Sequence, residues 1–295
     1  MNNKPIFSHY CDLNRASDEL LPSMLAELKD NGVRNLVFLD TWITRLLKEP
    51  EFIGTLKYHL RNDFNFFDMH APYGEAYDLA CMSKGRREEL VKDHIRALGY
   101  AADLGCKTYT IHIGAYYSVF FHTPNDVLRP LAVRTLEKLI PAAEKYGIIL
   151  AVENAFERSN TPEEVMYYVN YFNHPNVKCC FDNGHALIMT DYPGKSGYDN
   201  YMTEEVWSNQ MKFFNNAFEM MAPAMVTCHL HDNSGFSDQH LLPGLGTEKW
   251  DILTGKLRNA APALLSIQSE ASVLGKGHSI RHSVEMYRKL FPDLL

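Results

Sequence analysis

Eight short apolar runs alternate with longer amphipathic stretches along this 295-residue chain, and no other feature of the sequence restricts the fold as much. The strand-like runs are residues 5–10, 35–40, 65–70, 108–114, 148–154, 177–182, 226–232 and 264–270. Helical periodicity marks residues 17–29, 43–60, 86–104, 126–145, 162–172, 209–221, 248–259 and 279–290. Ser17, followed by Glu19 and the apolar Leu20 and Leu21, predicts one helix start. Thr161-Pro162-Glu163-Glu164 predicts another, with a capping hydroxyl, a proline in the first turn and acids facing the helix dipole. Gly32, Gly105 and Gly147 sit where helices must stop before the next strand. Strict alternation implies parallel strands joined by right-handed crossovers. An open doubly wound sheet and a closed barrel both satisfy that rule, and eight units select the α/β closed (β/α)8 TIM barrel. Length alone would suit two domains, but such barrels often run ~250 residues as one unit. No repeat, low-complexity tract or Pro/Gly/Ser linker divides the chain, so residues 1–295 read as a single domain.

Composition narrows the function classes. Hydrophobic residues at 46% and charged residues at 22% suit a globular protein and exclude a disordered, collagenous or coiled-coil chain. With 29 basic and 36 acidic residues the formal charge is −7, which argues against a protein whose main task is to grip phosphate backbones. Cys11, Cys81, Cys106, Cys179, Cys180 and Cys228 show no C-x-x-C spacing, so neither a disulfide scaffold nor a thiolate zinc site is expected. The amino-terminal stretch MNNKPIFSHYCDLNR lacks a signal pattern, and no apolar run reaches ~18 residues. A cytoplasmic location with no membrane partner is the expectation. Gly244-Leu245-Gly246 lacks the third glycine of a dinucleotide site, and no P-loop, H-E-x-x-H or G-x-S-x-G is present.

Of the thirteen histidines, His9, His70, His112, His185, His229, His231 and His240 fall at or just beyond predicted strand ends. In a (β/α)8 barrel those ends open onto the active-site face. Asp68, Glu153, Asp182, Asp232 and Glu270 fall there too. Period-two alternation puts Ile149, Ala151 and Glu153 on one side of the fifth strand, Thr227, His229 and His231 on one side of the seventh, and Ser266, Gln268 and Glu270 on one side of the eighth. The opposite sides (Leu150, Val152, Leu265, Ile267) are apolar, as a helix-covered outer wall requires. Glu153, His229 and Glu270 therefore converge on the mouth. Carboxylates buried there unpaired are costly, and a divalent cation resolves the cost. Carboxylates with imidazole suit Mn²⁺, Mg²⁺, Co²⁺ or Zn²⁺. A single strand-end His or Asp is more often a cap or a hydrogen-bonded core residue; its repetition at so many strand ends points to a site. The run 84–89 reads as a solvated helix start, and the aromatic cluster Tyr167, Tyr168, Tyr171 and Phe172 as helix packing. Trp42, Tyr73, Tyr116 and Tyr117 suit pocket walls or loop anchors equally, and Arg158 and Lys84 suit substrate anchors or surface charges.

These residues lie in segments that resemble the xylose-isomerase-like barrel superfamily, especially its sugar phosphate isomerase/epimerase branch. The segments are Asp68-Met-His-Ala-Pro-Tyr73, Thr110-Ile-His-Ile-Gly114, Ala151-Val-Glu-Asn154, Cys180-Phe-Asp-Asn-Gly-His185, Cys228-His-Leu-His-Asp-Asn233, Ser237-Asp-Gln-His-Leu-Leu-Pro-Gly244 and Ile267-Gln-Ser-Glu270. They keep the family order and span nearly the whole chain; together they specify the superfamily, not one reaction. The resemblance implies that Glu153, Asp182, His229 and Glu270 bind one divalent metal (Mn, Zn, Mg or Co) and that His185 touches substrate oxygens beside it. The superfamily also contains endonuclease IV-type apurinic nucleases, which bind three zinc ions. Their extra ligands look like His70, His112, His185, Asp238 and His240, so additional zinc ions are provided for. The acidic charge, the lack of a basic, aromatic-interleaved stretch, the Asp238–Gly244 loop and His231 where many nucleases have Asn argue against that branch. The expectation is a metal-dependent isomerase or epimerase of a small sugar or sugar phosphate. Glu153 and Glu270 are its acid/base pair, and His185, His70, His112, His231, Asp238 and His240 line its substrate site. The partner is a small carbohydrate, not nucleic acid, and a homo-oligomer stays open. The alternative is a zinc-dependent hydrolase of abasic DNA; a third reading is a dehydratase or non-enzymatic variant that keeps the metal.

Overall fold

Hydrogen bonding joins eight parallel strands in chain order, and β8 pairs back to β1 to close the barrel. The order is β1 (Ile6–His9), α1 (Leu21–Asp30), β2 (Asn35–Phe38), α2 (Asp40–Lys48), α3 (Phe52–Leu60), β3 (Asn65–His70), α4 (Lys84–Leu104), β4 (Thr108–Ile111), α5 (Tyr116–Phe120), α6 (Asn125–Tyr146), β5 (Ile149–Glu153), α7 (Pro162–Phe172), β6 (Val177–Asp182), α8 (Asn183–Ile188), α9 (Ala217–Met221), β7 (Met225–Leu230), α10 (Trp250–Ala260), β8 (Ser266–Ser269) and α11 (Ile280–Leu290). This computed structural model describes residues 4–60, 63–192, 195, 201–260, 264–274 and 276–295; the first three residues of the amino-terminal stretch read above lie outside them. Among the described residues, no helix is long and apolar enough to cross a membrane.

The expected closed (β/α)8 barrel is therefore present, with local departures that have local causes. The α7 start behaves as read, Thr161 Oγ1 accepting from the Glu164 N–H at 3.3 Å. The helix expected at 17–29 begins four residues later, at Leu21, after turns in which Ser17 receives the N–H groups of Leu20 and Leu21. The region 43–60 is two helices: Glu49 leaves helical geometry (φ −128°, ψ 75°) ahead of Pro50, whose ring disfavours helix in the residue before it. The helix expected at 209–221 contracts to Ala217–Met221; Ser208 and Asn209 take left-handed backbone (φ 48° and 61°), which keeps the expected start out of a helix.

The barrel interior is polar below its mouth. Asp68 Oδ1 accepts from Thr108 Oγ1 at 2.6 Å and Ser266 Oγ at 2.5 Å, and its Oδ2 from Ser8 Oγ at 2.8 Å. That carboxyl thus ties β1, β3, β4 and β8 together as a floor. It is one layer deeper than expected of a strand-end acid, and burial pushes its pKa up. His9 also departs from expectation. With Ser8 pointing inward, alternation sends His9 outward, against Phe7 (ring centroids 5.0 Å) and Tyr287 (6.5 Å), and burial lowers its pKa to about 3.

Behind β7 a second buried carboxylate organises the loop that carries Asp238 and His240. Asp232 Oδ1 accepts from the N–H groups of Asn233 (2.9 Å) and Glu248 (3.1 Å), and Oδ2 from Gly244 N (2.8 Å) and Trp250 Nε1 (2.9 Å). Hydrogen bonds to a charged group contribute about 1.5–3 kcal/mol each, and donors left buried without a partner cost more. Asp232→Ala is therefore expected to lower the unfolding free energy by about 3–5 kcal/mol in urea denaturation. A loss below about 1 kcal/mol would show that the loop does not depend on this carboxylate.

Candidate metal centre

Parallel register brings the rim residues together. Glu153 ends β5, Asp182 ends β6 opposite His229 of β7, and Glu270 directly follows β8. All four are buried. His229 Nδ1 lies 2.8 Å from Glu153 Oε1, 3.0 Å from Glu270 Oε1 and 4.0 Å from Asp182 Oδ2. One ligand atom from each of the four lies within 4.8 Å of the other three.

Two further groups flank this cage. On one side, Glu153 Oε2 lies 2.8 Å from His112 Nε2 and 3.4 Å from His70 Nε2. On the other, Asp238 Oδ2 meets His240 Nε2 at 3.2 Å and His185 Nε2 at 3.4 Å, while His231 Nε2 lies 3.3 Å from Asp182 Oδ1. His231 is fully buried and stacks on His240, with centroids 3.9 Å apart and planes 11° apart. Gly184 makes room for it: a Cβ there would sit 2.0 Å from His231 Cε1. Three imidazoles are oriented by main-chain carbonyls, His70 Nδ1 on Ala71 O (2.8 Å), His185 Nδ1 on Asn154 O (3.0 Å) and His240 Nδ1 on Glu270 O (2.9 Å). Donation through Nδ1 leaves Nε2 facing the carboxylates, where a protonated ring donates to them and a neutral ring can bind a cation, an orientation that outer-shell carbonyls also give metal-binding histidines.

A cation fits this donor set. Among the described residues, Asp182 Oδ2 and Asp238 Oδ1 are buried with no hydrogen-bond partner. Such atoms are costly unless something positive meets them. Without an ion the charges compensate one another. Against burial, His229 and His112 hold the Glu153 carboxyl well below the usual range, and His240 and His185 do the same for Asp238. Against burial, Cys180, Glu153 and Glu270 hold His229 well above its ordinary value; Asp182 and Asp238 do so for His185, and Asp238 lifts His240 to about 9.

All ten residues expected of the site come together here. A mouth cavity of about 270 Å³ opens above them, bordered by His70, His112, His185 and His240 but not by His231. Tyr10, Asp40, Phe156 and Glu157 also line it and escaped the sequence reading, although each lies within four residues of a strand end. Tyr73 is a wall, as one reading of it held; Trp42 instead packs on Phe38 and Phe66, and Arg158 donates to Ser118 O. Lys84 opens α4 outside this cavity. A larger groove of about 450 Å³, bordered by Phe181 and Phe218, contains none of the ten.

The profile of the xylose isomerase-like TIM barrel family matches residues 54–290, and the chain belongs to that family. An uncharacterised protein of Methanocaldococcus jannaschii is 22% identical over 209 residues, covering 68% of this chain and 64% of the relative. One of Sinorhizobium fredii is 25% identical over 211 residues, covering 67% and 60%. The chain thus spans less than two thirds of either relative. Among solved structures, the apo form of 3-keto-D-glucoside 4-epimerase from E. coli superposes with a TM-score of 0.70 at 14% identity, covering 98% of this chain and all of that one. The zinc-bound IOLI protein gives 0.69 at 14%, covering 98% and 97%. An AP endonuclease of family 2 from Brucella melitensis gives 0.63 at 17%, covering 98% of both. At these identities the likeness is one of fold.

The charge pattern sets a pH dependence for the metal-free protein. Depressed carboxylates stabilise the fold above the ordinary carboxylate pKa and lose that contribution as pH falls through their folded values. Raised histidines stabilise it fully below about 6.5 and lose it as pH rises through their folded values, about 9 for His240. The thermal midpoint of metal-free protein is therefore expected to fall between about pH 6.5 and 9. Added Mn²⁺ is expected to raise it, more at pH 8 than at pH 6, with proton release in calorimetry run in buffers of different ionisation heat. No Mn²⁺-induced shift at either pH would contradict this assignment of the cage.

Proposed function

We propose that this xylose isomerase-like barrel isomerises or epimerises a small carbohydrate by moving a proton at the carbon next to its carbonyl. Glu153, Asp182, His229 and Glu270 hold one divalent ion, and Glu153 and Glu270 are the acid/base pair. One observation carries the reading: the two glutamates reach the same His229 Nδ1, at 2.8 and 3.0 Å, from β5 and from beyond β8. Those elements stand three strands apart round an eight-stranded barrel, so the carboxylates approach the mouth from different sides. Such a pair suits removal of a proton from one side of a carbon and its return from another. Held by these four residues, a divalent ion would supply Lewis-acid stabilisation of negative charge developing on the carbonyl oxygen. Glu153 Oε2 has His112 Nε2 at 2.8 Å, an imidazole that orients the carboxylate and keeps it ionised. His185, fixed through Nδ1 and bordering the cavity, positions substrate hydroxyls. The cavity suits a small ligand. The epimerases that share the fold support the same direction.

A second reading, hydrolysis of abasic DNA by several metals, has its own observation: the His70–His112 pair on Glu153 and the His185–His231–Asp238–His240 group both gather ligand atoms beyond the cage. The formal charge of −7 and the acids Asp40 and Glu157 at the mouth weigh against a polyanionic substrate.

The test is a set of ketoses incubated in deuterated water with the Mn²⁺-loaded protein. Deuterium is expected at the carbon next to the carbonyl. Glu153→Gln and Glu270→Gln, which nearly conserve shape, are each expected to reduce exchange by ~10²–10⁴-fold. Undiminished turnover in both variants would remove the glutamates from the mechanism. Cleavage of an abasic duplex that disappears in Asp238→Ala and His240→Ala would select the hydrolytic reading instead.

A further inference from the structure

We infer that the site takes an unphosphorylated polyhydroxyl substrate, because the loops that would grip a phosphate are already filled by the protein's own carboxylates. The inference rests on the isomerase reading and narrows its substrate class.

In barrels of this architecture a phosphate commonly sits on the loops after strands seven and eight, held by main-chain N–H donors. Here those donors are taken from within. After β7, Asp232 receives the N–H groups of Asn233, Gly244 and Glu248. After β8, Asp12 Oδ2 receives the N–H of Val273 and, at 2.9 Å, that of Leu274. Asp12 is buried and arrives from the loop after β1, so a carboxylate of the chain itself stands where a substrate phosphate would bind. A phosphate entering here would have to displace a buried anion that cannot leave.

The cavity wall points the same way. The histidines on this wall, His70, His112, His185 and His240, are already paired with Glu153 and Asp238, and among the described residues Arg15 is the one lysine or arginine that borders the cavity. Its side chain is 61% exposed and already 3.8 Å from Asp12, so its pull on an anion is shared and screened. Asp40 and Glu157 border the same cavity. Carboxylate oxygens accept hydrogen bonds from hydroxyl groups and repel a phosphate, so they select a neutral polyol end by attraction and by exclusion together. Tyr10, Tyr73 and Phe156 add apolar ring surface for the carbon skeleton.

The test uses unreactive probes, so that it does not depend on turnover. Isothermal titration of the Mn²⁺-loaded protein compares D-glucitol with D-glucitol 6-phosphate and D-arabinitol with D-arabinitol 5-phosphate. Each phosphate is expected to bind roughly tenfold or more weakly than its parent. In an Asp40→Asn/Glu157→Gln double variant that gap is expected to shrink by roughly threefold or more, the parents weakening as hydroxyl acceptors are lost and the phosphates gaining as charge is removed. A phosphate that binds wild-type protein more tightly than its parent overturns the inference and leaves the isomerase reading standing. An unchanged gap in the double variant overturns the role given to Asp40 and Glu157. Failure of both members of both pairs to bind, with no solvent exchange into any ketose, overturns the isomerase reading and this inference together.

Discussion

Compensation of buried negative charge at the barrel mouth is the constraint on which the other features depend. Glu153, Asp182 and Glu270 are buried around one point, with Asp238 close by. Carboxylates in that position persist only if something positive meets them. In the protein alone the partners are histidines lifted above their ordinary pKa by those same acids. That arrangement stores positive charge as exchangeable protons, which a divalent cation replaces by taking the same lone pairs. Glu153 is the junction, since one oxygen belongs to the cage and the other to the His70–His112 pair.

The scaffold keeps these groups from relaxing apart. Below the mouth, Asp68 ties four strands through three hydroxyl donors. Around the mouth, Asp232 folds the loop after β7 onto itself, and Asp12 ties the loop after β1 to the loop after β8. Main-chain carbonyls fix three imidazoles, one of them through the carbonyl of Glu270, itself a cage residue. A site whose orienting groups are backbone atoms one residue beyond the strand ends holds its geometry without its ligand.

Much of this was legible in the sequence because a barrel turns one-dimensional pattern into position. Alternation assigned Glu153, His229 and Glu270 to the inner side, and the strand-end rule then put them at one mouth. The same alternation, applied to Ser8, would have sent His9 outward into the core with Phe7 and Tyr287. Asp68 shares the inward parity of His70, and only the neighbouring hydroxyls of Ser8, Thr108 and Ser266 distinguish a floor residue from a rim residue. Pro50 marked the break between α2 and α3 in plain view. The left-handed turn at Ser208 and Asn209 carried no local signal strong enough to override the helical periodicity that follows it. Tyr10, Asp40 and Glu157 were invisible as site residues because their role depends on how loops from separate strands meet.

The most direct test of the account is anomalous scattering from crystals grown with Mn²⁺, recorded where that element contributes strongly. A dominant peak is expected enclosed by Glu153, Asp182, His229 and Glu270, within coordination distance of their nitrogen and oxygen atoms. Ordered density for all four side chains with no anomalous peak between them would contradict it.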